Sequence, residues 1–119
     1  MDYTILKDCG IDGDIGLARC LNDHEFYEQF LVMFLEDSSF ERARAAFEQK
    51  DYKELFKCAY ELKGVSGNAG MSELYDAVCP LVDLVREGGV DDGEAARLFE
   101  TVSTAYARAR QGVERATGR

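Results

Sequence analysis

Apolar residues recur at helical spacing along most of this chain, and no segment shows the sustained alternation of a half-buried strand. Phe26, Phe30 and Phe34, for example, follow one another at intervals of four residues. The only proline, Pro80, falls within this pattern, and we expect it to kink its helix. Four substantial helices with short connections are typical of an antiparallel up-down arrangement. The sequence therefore predicts an all-α fold, an antiparallel four-helix bundle with a short additional N-terminal helix.

The length of the chain and its helix-capping residues predict one domain. A chain of 119 residues has room for one hydrophobic core. Candidate caps mark the starts of the helices, and they are Asn22 with Glu25, Asp51 with Glu54, Ser72, and Asp91 or Asp92. We expect a lead-in with the N-terminal helix over 1–21, the helical bundle over 22–113 and a frayed tail over 114–119.

The charge balance excludes several classes of partner. The chain has 23 acidic and 14 basic residues and a net charge of −9. Nucleic-acid phosphates are bound by basic surfaces, so we do not expect a nucleic-acid partner. No apolar run approaches the length of a membrane span, and the first residues lack the pattern of a secretory signal. We therefore expect a cytoplasmic, monomeric protein that does not contact a membrane.

The cysteines give no sign of a metal site or of a disulfide framework. Cys9, Cys20, Cys58 and Cys79 are widely scattered, without the paired spacing of zinc ligands. Disulfide frameworks are typical of short secreted chains that cannot build a core, and this chain can build one. We expect four reduced thiols, with Cys58 as a small core residue, and neither a metal nor a cofactor.

Residues 51–69 separate into two faces when they are placed on a helical wheel. The face expected in the core carries Leu55, Cys58, Ala59, Leu62, Val65 and Ala69, with Ser66 at its edge. Tyr60 lies directly opposite, and its flanking residues are Lys53, Phe56, Lys57, Lys63, Gly64 and Gly67. The wheel therefore predicts a local basic patch around an exposed aromatic side chain, on a domain that is acidic overall.

Three glycines close together in this helix call for an explanation. Gly64, Gly67 and Gly70 each cost about 1 kcal/mol relative to alanine inside a helix. Gly70 can end the helix and Gly67 can allow close packing of a second helix, so both have structural explanations. Gly64 points outward beside Tyr60, where no internal packing requires it. We expect open space there, suited to the backbone of a partner or to a phosphoryl group.

The run AYELKGVSGNAGM, residues 59–71, closely resembles the signature of histidine phosphotransfer (HPt) domains, and residues 9–37 are similar to the usual N-terminal half of these domains. The resemblance implies a single HPt-like domain over 1–119, with Tyr60 at the position of the phosphoacceptor histidine. It also implies that Lys63 and Gly64 border the phosphoacceptor site. Ser66, Asn68 and Gly70 continue the motif.

A tyrosine at this position changes the expected chemistry. Imidazole attacks and leaves readily near neutral pH, whereas a phenol is mostly protonated and forms a stable phosphate ester. The charged residues of this face of the wheel are lysines, so no general base is evident. We therefore expect a non-enzymatic pseudo-HPt module that binds a response-regulator receiver domain, either free or within a hybrid histidine kinase. The residues expected to contact this partner are Phe56, Lys57, Tyr60, Lys63, Gly64 and Gly67.

Three other interpretations stay open at the level of sequence. The chain can be an active phosphotransfer protein that uses Tyr60 or another acceptor, or a His-to-Tyr variant of an active module. It can also be a helical bundle repurposed for an unrelated partner, such as a kinase dimerisation element. The only histidine, His24, lies between Asp23 and Glu25, and we expect it to be a solvated first-turn residue. With Cys20 it supplies two metal ligands, which do not close a zinc site.

Overall fold

The computed structural model describes residues 1–119 and consists of seven α-helices joined by short loops, without a β-strand. The all-α prediction is confirmed. In chain order the helices are α1 (Tyr3–Asp8), α2 (Gly13–Arg19), α3 (His24–Phe34), α4 (Ser39–Glu48), α5 (Tyr52–Asn68), α6 (Ser72–Val85) and α7 (Asp92–Thr117). None of these helices has the length and apolar character required to cross a bilayer.

Helices that follow one another along the second half of the chain pack together, so that α4 contacts α5, α5 contacts α6 and α6 contacts α7. Aromatic rings join α4 to α7: the ring centroid of Phe40 lies 4.0 Å from that of Tyr106 and 5.8 Å from that of Phe99. Phe47 lies 4.5 Å from Phe99, and Phe34 of α3 lies 5.5 Å from Tyr106. Both α3 and α4 are thus packed on α7 through large buried rings.

The N-terminal segment forms two short helices, where the sequence predicted one within 1–21. Gly10 follows α1 with a φ of 79°, a left-handed conformation that interrupts the helix. The Asp12 carboxylate then accepts hydrogen bonds from the backbone N–H groups of Asp14 and Ile15 and starts α2. Asp12 therefore caps a second helix, which the capping patterns in the sequence did not predict.

The first helix lies against the last one, so that the two ends of the chain meet. The backbone N–H of Asp2 donates to the carbonyl of Ala116 at 3.3 Å. The guanidinium of Arg108 donates to the Asp8 carbonyl at 2.6 Å, across 100 residues of sequence. These bonds fasten α1 along α7.

The N-terminal segment is also fixed to the end of α5. The backbone N–H of Asp12 donates to the Gly70 carbonyl at 2.6 Å, and the buried Tyr27 hydroxyl donates to the Ala69 carbonyl at 2.7 Å. A Cβ atom added at Gly16 would lie 2.4 Å from the Tyr27 ring, which shows how closely α2 approaches α3. Together these contacts hold α2 and α3 at the C-terminal end of α5.

Two of the predicted helix caps are confirmed and two are wrong. The carboxylates of Asp51 and Asp91 each accept a hydrogen bond from a first-turn backbone N–H, as expected. Asn22 is not a cap, because its backbone is left-handed with a φ of 60°. The carboxylate of Asp23 caps α3 in its place. Ser72 is the first residue of α6 and not its cap, because the N-cap position is occupied by Met71, whose side chain makes no capping hydrogen bond.

The prediction of a frayed tail over 114–119 is wrong for most of that segment. Helix α7 continues to Thr117 and ends at Gly118, which has a left-handed φ of 76°. Val113 is fully buried and Ala116 is 7% exposed. Their apolar contacts with the core stabilise the last turns of a helix that would fray in isolation.

Substitution by alanine at two glycines of the same segment should change the free energy of unfolding in opposite directions. Gly70 has a φ of 73°, and an added Cβ would lie 2.3 Å from the Asp12 carbonyl oxygen, so Gly70→Ala should lower the free energy of unfolding by about 2–4 kcal/mol. At Gly64 an added Cβ meets no atom within 4 Å, so Gly64→Ala should raise it by up to about 1 kcal/mol. Urea denaturation followed by circular dichroism measures both. A neutral Gly70→Ala would contradict the close approach of α5 to the N-terminal segment.

Candidate functional site

The inner face of α5 matches the wheel, with one correction. Its buried residues are Leu55, Cys58, Ala59, Leu62 and Ser66. Val65 was predicted to be buried and is only half-buried. The buried sector is centred closer to Ser66, whose hydroxyl donates to the Lys63 carbonyl at 3.0 Å and so has a partner inside the helix.

The outer face of α5 is centred on an exposed aromatic pair. Tyr60 is 55% exposed in mid-helix, on the side that the wheel predicts. The Phe56 ring, one turn earlier, is half-buried, and its centroid lies 5.8 Å from that of Tyr60. The guanidinium of Arg86, which follows α6, lies 5.3 Å from the centroid of the Phe56 ring, within the range of a cation–π contact. Phe56 is thus held in place, while Tyr60 is presented to solvent.

The two glycines that follow Tyr60 on this helix have different roles. An added Cβ at Gly64 would meet nothing within 4 Å, so this position leaves open space beside Tyr60, as expected. An added Cβ at Gly67 would lie 3.2 Å from the ring of Tyr75 on α6. Gly67 therefore allows α6 to pack closely on α5, which is the structural explanation that the sequence left open.

A surface depression of about 470 Å³ opens beside Tyr60, between α2, α5 and α6. The lining includes all of the motif glycines and serine, namely Gly64, Ser66, Gly67 and Gly70. The side chains with polar or aromatic groups in the lining also include Arg19, Tyr60, Lys63, Asn68, Tyr75 and Asp76. Arg19, Tyr75 and Asp76 were not predicted, because a wheel drawn for one helix contains no information about side chains from α2 and α6.

Basic side chains without an acidic partner are concentrated around Tyr60. Half of the 14 basic side chains form ion pairs, namely those of Arg42, Arg44, Lys50, Arg86, Arg97, Arg108 and Arg110. Among the seven without one are Arg19, Lys53, Lys57 and Lys63, which lie on α5 or line the depression beside it. Four of the seven basic side chains without an acidic partner thus lie on or beside α5, in a chain with 23 acidic residues.

Carboxylates near Tyr60 change one part of the sequence interpretation. Glu61 follows Tyr60 directly, but its carboxylate is paired with the guanidinium of Arg42 at 2.5 Å. Asp76 on α6 lines the depression and forms no ion pair. The wheel described α5 alone, so it could not include Asp76, which lines the same depression from another helix.

His24 lies outside this site. It is exposed at the start of α3, and its Nδ1 atom lies 2.8 Å from the hydroxyl of Tyr3, with the two rings edge to face. Cys20 is buried, and no group of three or more His, Cys, Asp or Glu side chains is placed to hold a metal ion. His24 is thus a surface residue engaged by α1.

Comparisons with models of protein families, with curated proteins and with solved structures found no match.

The structure brings together the predicted residues Tyr60, Lys63 and Gly64 around one depression. Phe56 lines a second, smaller hollow of about 320 Å³ between α5 and the end of α6. Lys57 is exposed on the same helix and lines neither hollow.

Chemical nitration should distinguish the tyrosine of the outer face from the buried tyrosines. With tetranitromethane at mildly alkaline pH, Tyr60 should be modified first, because it is the most exposed tyrosine. Tyr27 should resist, because burial raises the pKa of its hydroxyl and Ala69 accepts its proton in a hydrogen bond. The hydrogen bond to Asp92 raises the pKa of Tyr52 to about 12, which lowers its phenolate fraction about a hundredfold. Peptide mass spectrometry gives the order, and equal rates for Tyr27 and Tyr60 would contradict it.

Proposed function

We propose that this chain is a pseudo-HPt module, which binds the receiver domain of a response regulator and does not relay phosphate. In this proposal α3 and α4 together form the first, interrupted helix of a four-helix bundle, and α5, α6 and α7 are the other three. The support for pairing α3 with α4 is that Phe34 and Phe40 both pack on the ring of Tyr106. Helices α1 and α2 form the lead-in.

The observation that carries the proposal is the position of Tyr60. A large aromatic side chain stands exposed in mid-helix, beside the open space at Gly64 and the unpaired cation of Lys63. Exposed aromatic residues next to cations are typical of the small number of residues that dominate a binding interface. The resemblance of residues 59–71 to the HPt signature implies that this same residue occupies the acceptor position.

The chemistry of the phenol favours docking over transfer. A relay needs an acceptor whose phosphorylated form is still a good donor, and a phosphotyrosine ester is too stable to pass its phosphoryl group on. The adjacent carboxylate of Glu61 is engaged by Arg42, so it is not free to take the phenolic proton. Receiver domains surround their aspartate with further acidic groups, which the unpaired cations Arg19, Lys57 and Lys63 can meet without any reaction.

A calorimetric titration against receiver domains tests the docking face. Receivers of the source organism, including those of hybrid histidine kinases, are first screened by pull-down, and the strongest binder is then titrated. Gly64→Gln should weaken binding at least about tenfold, because a long side chain fills the open space beside Tyr60. Lys63→Ala should cost about 1 kcal/mol or less, with a larger loss at low salt. Phe56→Ala should cost about 2 kcal/mol.

Gly93→Gln is the matched control for the glycine variant. Gly93 lies in the first turn of α7, and an added Cβ there meets only a side-chain oxygen of Asp91 at 3.8 Å. The same substitution at this position should leave the affinity unchanged. Equal affinities for Gly64→Gln, Gly93→Gln and the wild type would mean that the partner binds elsewhere on the domain.

Restoring the histidine tests the assignment of the acceptor position. The wild type should acquire no acid-labile phosphate from a phosphorylated receiver, because a phenol does not form a phosphoramidate. Tyr60→His should acquire it, because Lys63, Gly64 and the helix that carries them are already in place. The readout is retention of radiolabelled phosphate in base and its loss in acid. Acid-labile phosphate on the wild type, mapped to His24, would overturn the proposal of an inert module.

A further inference from the structure

The depression beside Tyr60 contains two cations that reach it from different helices. Arg19 is the last residue of α2 and Lys63 lies on α5, and neither forms an ion pair or a hydrogen bond with another side chain. Asp76 contributes the one negative charge of the lining, so the depression carries an excess of one positive charge on a chain whose net charge is −9. Such a local reversal of sign attracts an anion.

We infer that this depression is an oxyanion site, which takes the phosphoryl group on the aspartate of a docked receiver, so that the module binds phosphorylated receivers in preference to unphosphorylated ones. The inference rests on the proposed function and adds a selectivity that docking alone does not require.

The donors of the lining suit a phosphoryl group. Arg19 offers a planar guanidinium and Lys63 an ammonium group, while Asn68 and Tyr60 add an amide and a hydroxyl. A phosphoryl group carries close to two negative charges and three acceptor oxygens. A Cβ atom added at Gly64 would meet no atom within 4 Å, so this position leaves space for the phosphoryl group beside Tyr60 and Lys63. An unphosphorylated aspartate side chain carries less negative charge and is shorter than an aspartyl phosphate. The same donors therefore contribute less to its binding free energy.

The phosphoryl group would stay on the receiver while it is bound. In the proposal Tyr60 holds the acceptor position, and a protonated phenol is a poor nucleophile. Glu61 is paired with Arg42, and the remaining carboxylate of the depression, Asp76, opposes the approach of the phosphoryl group by its charge. The site thus retains a phosphorylated receiver without discharging it.

Calorimetry with one receiver in two states tests the inference. The probe is the receiver that the wild type binds most tightly, titrated without additive and then as its beryllium fluoride complex, a stable mimic of the aspartyl phosphate. The wild type should bind the complex more tightly. Arg19→Gln and Lys63→Gln should each lower the affinity for the complex about threefold to tenfold, with a smaller change for the free receiver. Asp76→Asn should raise the affinity for the complex about threefold.

Lys57→Gln is the matched control, because it removes the same charge from the same helix without touching the depression. It should weaken both states equally. Arg19→Lys should keep part of the selectivity, and thermal melts establish that each variant is folded. Equal affinity of the wild type for both states would overturn the inference and leave the proposed docking intact. Binding to no receiver in either state would overturn both.

Discussion

The close approach of the end of α5 to the N-terminal segment is the contact on which the rest of the structure depends. Gly70 has a left-handed backbone there and accepts a hydrogen bond from the backbone N–H of Asp12. Only a residue without a side chain fits, because the Asp12 carbonyl and the backbone of Gly16 occupy the space of a Cβ. This contact ends α5 and holds α2 against it. It is also the reason that Arg19, at the end of α2, lines the same depression as Tyr60.

The two faces of α5 contribute unequally to stability. The residues of its inner face are buried, and the hydroxyl of Ser66 donates a hydrogen bond to a carbonyl of the same helix. Its outer face carries exposed aromatic surface and unpaired positive charge, neither of which stabilises the fold. These side chains are therefore accessible to the partner that we propose.

Local patterns in the sequence predicted the features that depend on a single helix, namely which side chains are exposed or buried and where a helix begins. The exposed position of Tyr60 and the burial of Leu62 follow from the helical period, and the cap at Asp51 follows from hydrogen bonding within one turn. The prediction that Val65 is buried was wrong, because the rotation of a helix about its own axis depends on the helices packed against it. Asp76 was not foreseen for a related reason, since only tertiary packing brings α6 beside α5. Asp23 caps α3 in place of Asn22, and the sequence did not distinguish them because Asn and Asp are almost equally favourable at the N-cap position.

The pairing of α1 with α7 determines the order in which this protein can be completed during synthesis. Asp2 and Asp8 find their partners at Ala116 and Arg108, close to the opposite end of the chain. Before α7 has been synthesised, α1 lacks the surface that carries these two partners, and only its contacts with α2 and α3 can form. The middle of the chain, in which α4, α5 and α6 contact their sequence neighbours, can assemble earlier. Helix α5 would therefore fold before α1 is fixed against α7.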